Sequence, residues 1–336
     1  WASHFVGGDL GPARQLGEQL VRLAEKRNDP ALFPPARHAF GYPLCYRAEY
    51  RAAIKEADQG IAHFNLQTER KNAIEYQFSS VTALYRFSGL ALLMLGYPDD
   101  ARDRAKKALE LTERLGNKPN VAFAYTSSTW FHQLWRNAQR IIEDFEHVTR
   151  LSSEEQGFFW PRLGGIFYGW ALVELGQVAE GVHEMRENLT AYRAIGGGIL
   201  RTHASSLLAE GLWKFDRPQE ALDMLSEAME TIKTSCEYHY EPELFRLTGE
   251  ILRHTYGDTD NNAEVALRKA VDLSRKQKTK WLELRAMTSL CRLWQAQGKK
   301  NEALKELEQI YKWFSQGFDT KDLLEAKNLL QELGAT

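Results

Sequence analysis

A short phrase returns along the chain about every 40 residues: a small residue, usually followed seven positions later by alanine or another small or apolar residue. Anchored on its first residue, the copies fall at Ala13, Ala53, Ala101, Ala138, Gly181, Ala221, Ala263 and Ala303. A turn residue precedes the anchor by five positions in most copies: Gly8, Gly96, Gly176, Asp216 and Gly298. Twelve residues before the anchor stands another small residue, at Gly41, Gly89, Thr126, Gly169, Ala209 and Cys291, and at Gly249 in the seventh copy, where Gly257 to Asn262 adds two residues. A period of this length is one supersecondary unit, which cannot bury its apolar face alone and must stack on its neighbours. Between the turns, Ala, Leu, Glu, Arg and Lys dominate with apolar positions every three or four, the pattern of amphipathic helices, and no stretch alternates long enough to argue a strand.

These spacings resemble tetratricopeptide repeats (TPR), in which a small residue on helix A lets helix B approach and a small residue on helix B fills the gap. That explains glycines inside helices, each of which costs about 1 kcal/mol against alanine without a packing reason. The resemblance implies an all-α, right-handed superhelix of about eight helical hairpins, the first lacking most of helix A. Residues 1–336 would form a single solenoid. A C-terminal helix over Lys321 to Leu333, capped by Asp319 or Thr320, would cover the end of the stack with Leu323, Leu324, Ala326, Leu330 and Leu333.

Charge and composition exclude several classes. Lys and Arg number 43 against 45 Asp and Glu, a formal net charge of -2 with no basic run, which argues against a nucleic-acid partner. The longest apolar stretches, such as Leu90 to Leu95, fall far short of the ~20 residues that a spanning helix needs, so no membrane is expected. Cys45, Cys236 and Cys291 lie far apart and suggest no disulfide framework, which fits a reducing cytoplasm. Trp1 opens the chain inside a helical pattern, so a piece of a longer protein is expected.

The sequence offers little catalytic chemistry. There is no Gly-x-x-x-x-Gly-Lys-[Ser/Thr] loop to cradle a phosphate, and the Gly-rich stretches at Gly7 to Gly11 and Gly196 to Gly198 fall at helix junctions, where turn geometry accounts for them. Nine histidines are scattered without the His-Glu-x-x-His spacing of a metal site, and the adjacent pairs Glu146-His147 and His183-Glu184 point to different faces of a helix. Cys291 fills the small-residue slot of the last repeat and reads as a packed thiol. No catalytic, cofactor-binding or metal-binding residue is assigned.

In a TPR superhelix the first helix of each pair lines the concave side, so residues 18, 15, 11 and 8 before each anchor are expected in the groove. That register selects His38, Tyr42, Arg86, Asn120, Ser127, Trp130, Trp170, His203, Glu210 and Trp213. From the last two repeats it selects Glu243, Arg246, Glu250, Arg253, Arg285 and Arg292. Two readings compete. The aromatic and charged set binds a peptide or a domain of the same polypeptide, or the tryptophans are inter-repeat core and the charges pair among themselves, with Glu243, Arg246 and Glu250 satisfying one another.

Several phrases narrow the resemblance: Gly89-Leu90-Ala91 with Leu95-Gly96-Tyr97-Pro98-Asp99, Gly169-Trp170-Ala171-Leu172 with Glu174-Leu175-Gly176, Pro242-Glu243-Leu244-Phe245-Arg246-Leu247 with Gly249-Glu250, Leu282-Glu283-Leu284-Arg285-Ala286, and Trp313-Phe314 with Gly317-Phe318-Asp319-Thr320-Lys321-Asp322-Leu323. They resemble the C-terminal region of bacterial multidomain signalling proteins in which a class III adenylate or guanylate cyclase domain precedes a STAND-type ATPase module. The resemblance spans nearly the whole chain and implies a non-catalytic sensor arm with a protein or peptide partner. The arm of a STAND-type transcription regulator and a free-standing adaptor are the alternatives.

Overall fold

Local chemistry sets the helix boundaries. The side chains of Ser79 and Asn117 accept from the backbone N–H groups of Thr82 and Asn120 and open the helices beginning at Ser80 and Lys118. Gly96, at φ +94°, ends the first of these, and Pro98 starts the next helix at a position where a missing N–H costs nothing. The computed structural model describes residues 1–75, 78–152 and 159–334, and the described residues form eighteen α-helices and no strand.

They pair as the repeat predicts. A five-residue α1 (Ala2–Val6) precedes α2 (Leu10–Arg27), so the first hairpin does lack most of its helix A. Complete hairpins follow as α3 (Phe33–Tyr46) with α4 (Tyr50–Ile61), then, after α5 (Leu66–Glu75), α6 (Ser80–Leu95) with α7 (Pro98–Leu115) and α8 (Lys118–Leu134) with α9 (Ala138–Ser152). The rest are α10 (Phe159–Glu174) with α11 (Val178–Ala194), α12 (Arg201–Lys214) with α13 (Pro218–Ser235), α14 (Glu241–Tyr256) with α15 (Asn261–Gln277), and α16 (Lys280–Ala296) with α17 (Lys300–Tyr311), closed by α18 (Lys321–Leu333). The extra helix α5 escaped the repeat pattern; Asn65 starts it by accepting from the N–H groups of Gln67 and Thr68.

The small residues sit at the helix crossings. A Cβ on Gly181 would lie 2.4 Å from the carbonyl oxygen of Gly169, so α10 and α11 touch backbone to backbone. In the last hairpin the Cys291 thiol donates to the carbonyl of the anchor Ala303, and burial pushes its pKa up to about 12. The fourth copy corrects the expected register by three residues. Helix α9 begins at Ala138, and Ile141, fully buried, takes the place that Ala101 and Ala221 hold in their helices. The turn residue five positions earlier is Arg136, at φ +58°, where other copies carry Gly or Asp, and this substitution hid the true spacing.

In the closing helix, Leu323, Ala326, Leu330 and Leu333 are buried as expected, together with Leu329, while Leu324 is exposed. Thr320 holds the capping position, but its hydroxyl donates to the carbonyl of Gly317 and makes no bond to the helix.

The array also closes on itself. The backbone N–H of His239 donates to the carbonyl of Tyr46 at 3.0 Å, and the Tyr50 hydroxyl donates to the carbonyl of His239 at 3.2 Å. Gly198 N–H reaches the carbonyl of Val6 at 2.8 Å, and a Cβ on Gly198 would lie 1.9 Å from the Gly7 oxygen, so the two Gly-rich loops are the contact between distant parts of the chain. The Gln316 side-chain oxygen accepts from the N–H groups of Asp99 and Asp100, and Arg102 pairs with Asp319 at 2.9 Å. Two phrases that carry the family resemblance, Leu95 to Asp99 and Trp313 to Leu323, thus dock on each other. One continuous core runs from Phe5 to Leu333. The accessible surface is 14703 Å², against the ~14000 Å² that surface scaling gives a compact protein of 38.5 kDa.

Candidate binding site

Closure divides the groove register in two. On the side of the early repeats the inner positions are packed. Arg86 is 3% exposed, its guanidinium carbon 4.8 Å from the Phe123 ring centre, 5.1 Å from that of Trp130 and 5.4 Å from that of Tyr42, whose hydroxyl it also bonds. Among the described residues it has no carboxylate within 4 Å, so the three aromatic faces are what oppose its charge. His38 is buried against Trp1 and Tyr42, and burial, then Arg86, holds its pKa down at about 3. Asn120 and Ser127, chosen with the slipped register, serve their own backbone surroundings: Asn120 accepts from the N–H of Ser79 and Ser127 donates to the carbonyl of Phe123.

Trp130 and His203 meet across the centre. The indole N–H donates to His203 Nδ1 at 3.1 Å, which puts the ring proton on Nε2, where it donates to Gln133 Oε1 at 2.9 Å. His203 is fully buried and stacks on Tyr240 at 3.7 Å. Burial, then His239 and Arg285, hold its pKa well below the usual histidine range. Trp130 and His203 lie in the packed centre, whereas Gln133 also faces the open half of the register.

The second half of the register stays open. Trp170, Glu210, Trp213, Glu243, Arg246, Glu250, Arg285 and Arg292 line one cavity of about 230 Å³. Gln133, Arg136, Lys214, Thr288, Ser289, Asp322 and Glu325 complete its wall. Gln133 was missed because the fourth anchor lies three residues further on; counted from Ile141 it occupies the expected eighth position before the anchor. Arg136 and Lys214 follow the inner positions of their hairpins, and Asp322 and Glu325 belong to the cap, outside any repeat. Their only signal is a carboxylate every third residue on one face of a helix predicted to cover the stack. Arg253 is drawn away to Asp258 in the following turn.

Inside the cavity most charges are engaged. Arg246 holds Glu243 with two hydrogen bonds, at 2.6 and 2.9 Å. Arg285 binds Asp322 at 2.8 Å and the carbonyl of Leu134, and lies 3.9 Å from Glu243. Arg136 reaches Glu325 at 2.8 Å and Asp322 at 3.4 Å. Burial opposes ionisation of Glu210, but the Lys214 ammonium and the Trp170 indole N–H, at 2.8 Å, outweigh it and hold the carboxyl down at about 2. For Arg246 and Arg285 burial is likewise outweighed, by Glu243 and by Asp322 with Glu243, and both are held firmly protonated. Glu250, by contrast, makes no hydrogen bond or ion pair within 4 Å among the described residues. The Arg292 side chain is 41% exposed and has one contact, at 3.6 Å, with Glu325.

The fold and this cavity define the class: an all-α helical solenoid of the TPR type whose concave face is closed to a charged pocket. No family model and no curated protein matches the chain. Solved structures of similar fold include two that illustrate the likeness. One is a Rap protein complexed with competence and sporulation factor, 14% identical, with a TM-score of 0.59, covering 90% of this chain and 87% of that one. The other is the APC/C hetero-tetramer Cut9-Hcn1, 12% identical, with a TM-score of 0.57, where 98% of this chain matches 54% of that one. Among the described residues no helix is long and apolar enough to cross a membrane, and no group of three or more His, Cys, Asp or Glu is placed to hold a metal ion.

Proposed function

We propose that this chain is a non-catalytic interaction and regulatory domain that receives an effector, a peptide or a partner segment in the pocket between α10, α12, α14, α16 and α18. The observation that carries this reading is the one cavity where eight residues of the groove register come together, with an indole, an unpaired carboxylate and a half-exposed guanidinium at its wall. The solved neighbour complexed with a factor supports an effector as occupant. The phrases resembling cyclase and STAND-ATPase signalling proteins support a sensor arm within a longer chain.

A ligand in this position touches side chains of α12, α14, α16 and α18 together. It changes how the array is held closed, and biases an attached switch to the extent that it binds the two states unequally.

The test uses random heptapeptides selected by display on the purified chain, then titrated against it and against a Trp213→Ala, Glu250→Gln, Arg292→Gln variant. These substitutions spare every buried ion pair, so circular dichroism and the melting temperature should be retained. The selected peptides are expected to bind the variant about tenfold more weakly or worse, ~1.4 kcal/mol. Equal affinity for both proteins would place the binding surface elsewhere.

A further inference from the structure

The charge pattern of the pocket narrows the chemistry of its ligand, an inference that rests on the reading just given. Five cationic and five anionic side chains line the cavity. Eight of the ten hold a partner at close range: Arg246 with Glu243, Lys214 with Glu210, Arg285 with Asp322, and Arg136 with Glu325. A polyanion or polycation entering this balance would leave charge of one sign without complement, at the cost that unpaired buried charges carry. The two groups left over are of opposite sign: Glu250, which among the described residues has no ion pair within 4 Å and feels Arg246 only at longer range, and Arg292, with a single loose pair.

Size sets a second limit. At ~30 Å³ per water, a cavity of about 230 Å³ has room for roughly eight waters, less than the ~300–1,000 Å³ of pockets for drug-sized ligands. The Trp213 indole, partly exposed in the same cavity, offers an apolar face as well.

We propose that the pocket takes a small zwitterion, a free amino acid or a dipeptide, whose ammonium group pairs with Glu250, whose carboxylate pairs with Arg292, and whose side chain lies on Trp213. A guanidinium matches a carboxylate with two parallel hydrogen bonds, and a carboxylate free of competing donors accepts from an ammonium. The zwitterion completes the pairing that the protein leaves open.

The experiment is isothermal titration of the purified chain with each of the twenty free amino acids and with the corresponding glycyl dipeptides. The best binder is then compared with its N-acetylated and its C-amidated forms. At least one zwitterion is expected to bind, and blocking either end is expected to weaken it tenfold or more. Glu250→Gln should weaken the free ligand to the same degree yet leave the residual affinity of the N-acetylated form unchanged, and Arg292→Gln should do the same for the amide. The proposal is overturned by the absence of binding at millimolar concentration, or by blocked ligands that bind as well as free ones. If zwitterions fail while the displayed heptapeptides still lose affinity on the Trp213→Ala, Glu250→Gln, Arg292→Gln variant, the pocket remains the binding site and only its assigned ligand is wrong. If the heptapeptides are also indifferent to the variant, both readings fall.

Discussion

Arg285→Ala is expected to lower the free energy of unfolding by about 3–5 kcal/mol, the usual penalty for removing one partner of a buried ion pair. Arg285 is buried at the junction of three elements: it binds Asp322 of the cap helix, the carbonyl of Leu134 at the end of α8, and lies near Glu243 of α14. Without it, Asp322 keeps, among the described residues, one ion pair, with Arg136 at 3.4 Å, and the Leu134 carbonyl loses a charged donor. Arg285→Met combined with Asp322→Leu removes both charges together and should lose less than Arg285→Ala alone. Urea denaturation followed by circular dichroism checks both. A loss below about 1 kcal/mol in Arg285→Ala would mean that this ion pair contributes no more than an exposed one. This result bears on function too, because a loss of binding in any Arg285 variant would report a damaged fold, whereas Glu250 and Arg292 can be changed at the mouth without that ambiguity.

Acid is the second large effect expected. His38 and His239 are buried with pKa values held at about 3, in both cases chiefly by burial, and His203 is also held well below its usual range. Each is neutral in the folded chain and takes up a proton on unfolding once the pH drops below about 6.5. The stability linked to these groups is therefore complete above pH 6.5 and is lost as the pH falls toward the folded values. Glu237 works the other way: burial pushes its carboxyl up to about 8, so it destabilises the fold increasingly between about pH 4.5 and 8 and returns part of the loss on acidification. From pH 7 to pH 5, His38 and His239 together cost about 4 kcal/mol, His203 and the partly buried His132 add to that loss, and Glu237 restores about 2 to 3, so the fold loses stability toward acid. His239 and His203 lie where the halves of the array meet, beside Tyr46 and Trp130, so the closure should loosen with the same pH dependence. Thermal melts across pH 5 to 8 check this. Glu237→Gln should raise the melting temperature at pH 7 and steepen the fall toward pH 5, and a flat profile would contradict neutral buried histidines.

The helices were legible because a repeat writes its packing into local spacing. Gly169 opposite Gly181, and Cys291 opposite Ala303, are pairs whose separation follows from one hairpin alone. The same register found most of the pocket wall on α10, α12, α14 and α16. It failed where one residue broke the pattern: Arg136 in a left-handed turn position shifted the fourth copy by three, which removed Asn120 and Ser127 from the inner face and concealed Gln133. It was silent about which inner residues stay exposed, since the curvature of the whole stack depends on small rotations summed over many hairpins, and no window of 40 residues contains that sum. Arg86, Trp130 and His203 accordingly have inner-face spacing but lie in the packed centre. Contacts such as Gly198 with Gly7, or Gln316 with Asp99, join residues more than 190 apart in sequence and carry no periodic trace.

The pocket exists only because the array is closed, and small-angle X-ray scattering of the monomer at infinite dilution tests that closure most directly. A compact chain of this length should give a radius of gyration near 20 Å. A value of about 25 Å or more, beyond that compact-domain scaling, would mean an open superhelix in solution. The contacts of Arg285, Tyr46 and Gly198 across the centre would then be unmade, and the concave face would be a groove with no enclosed site.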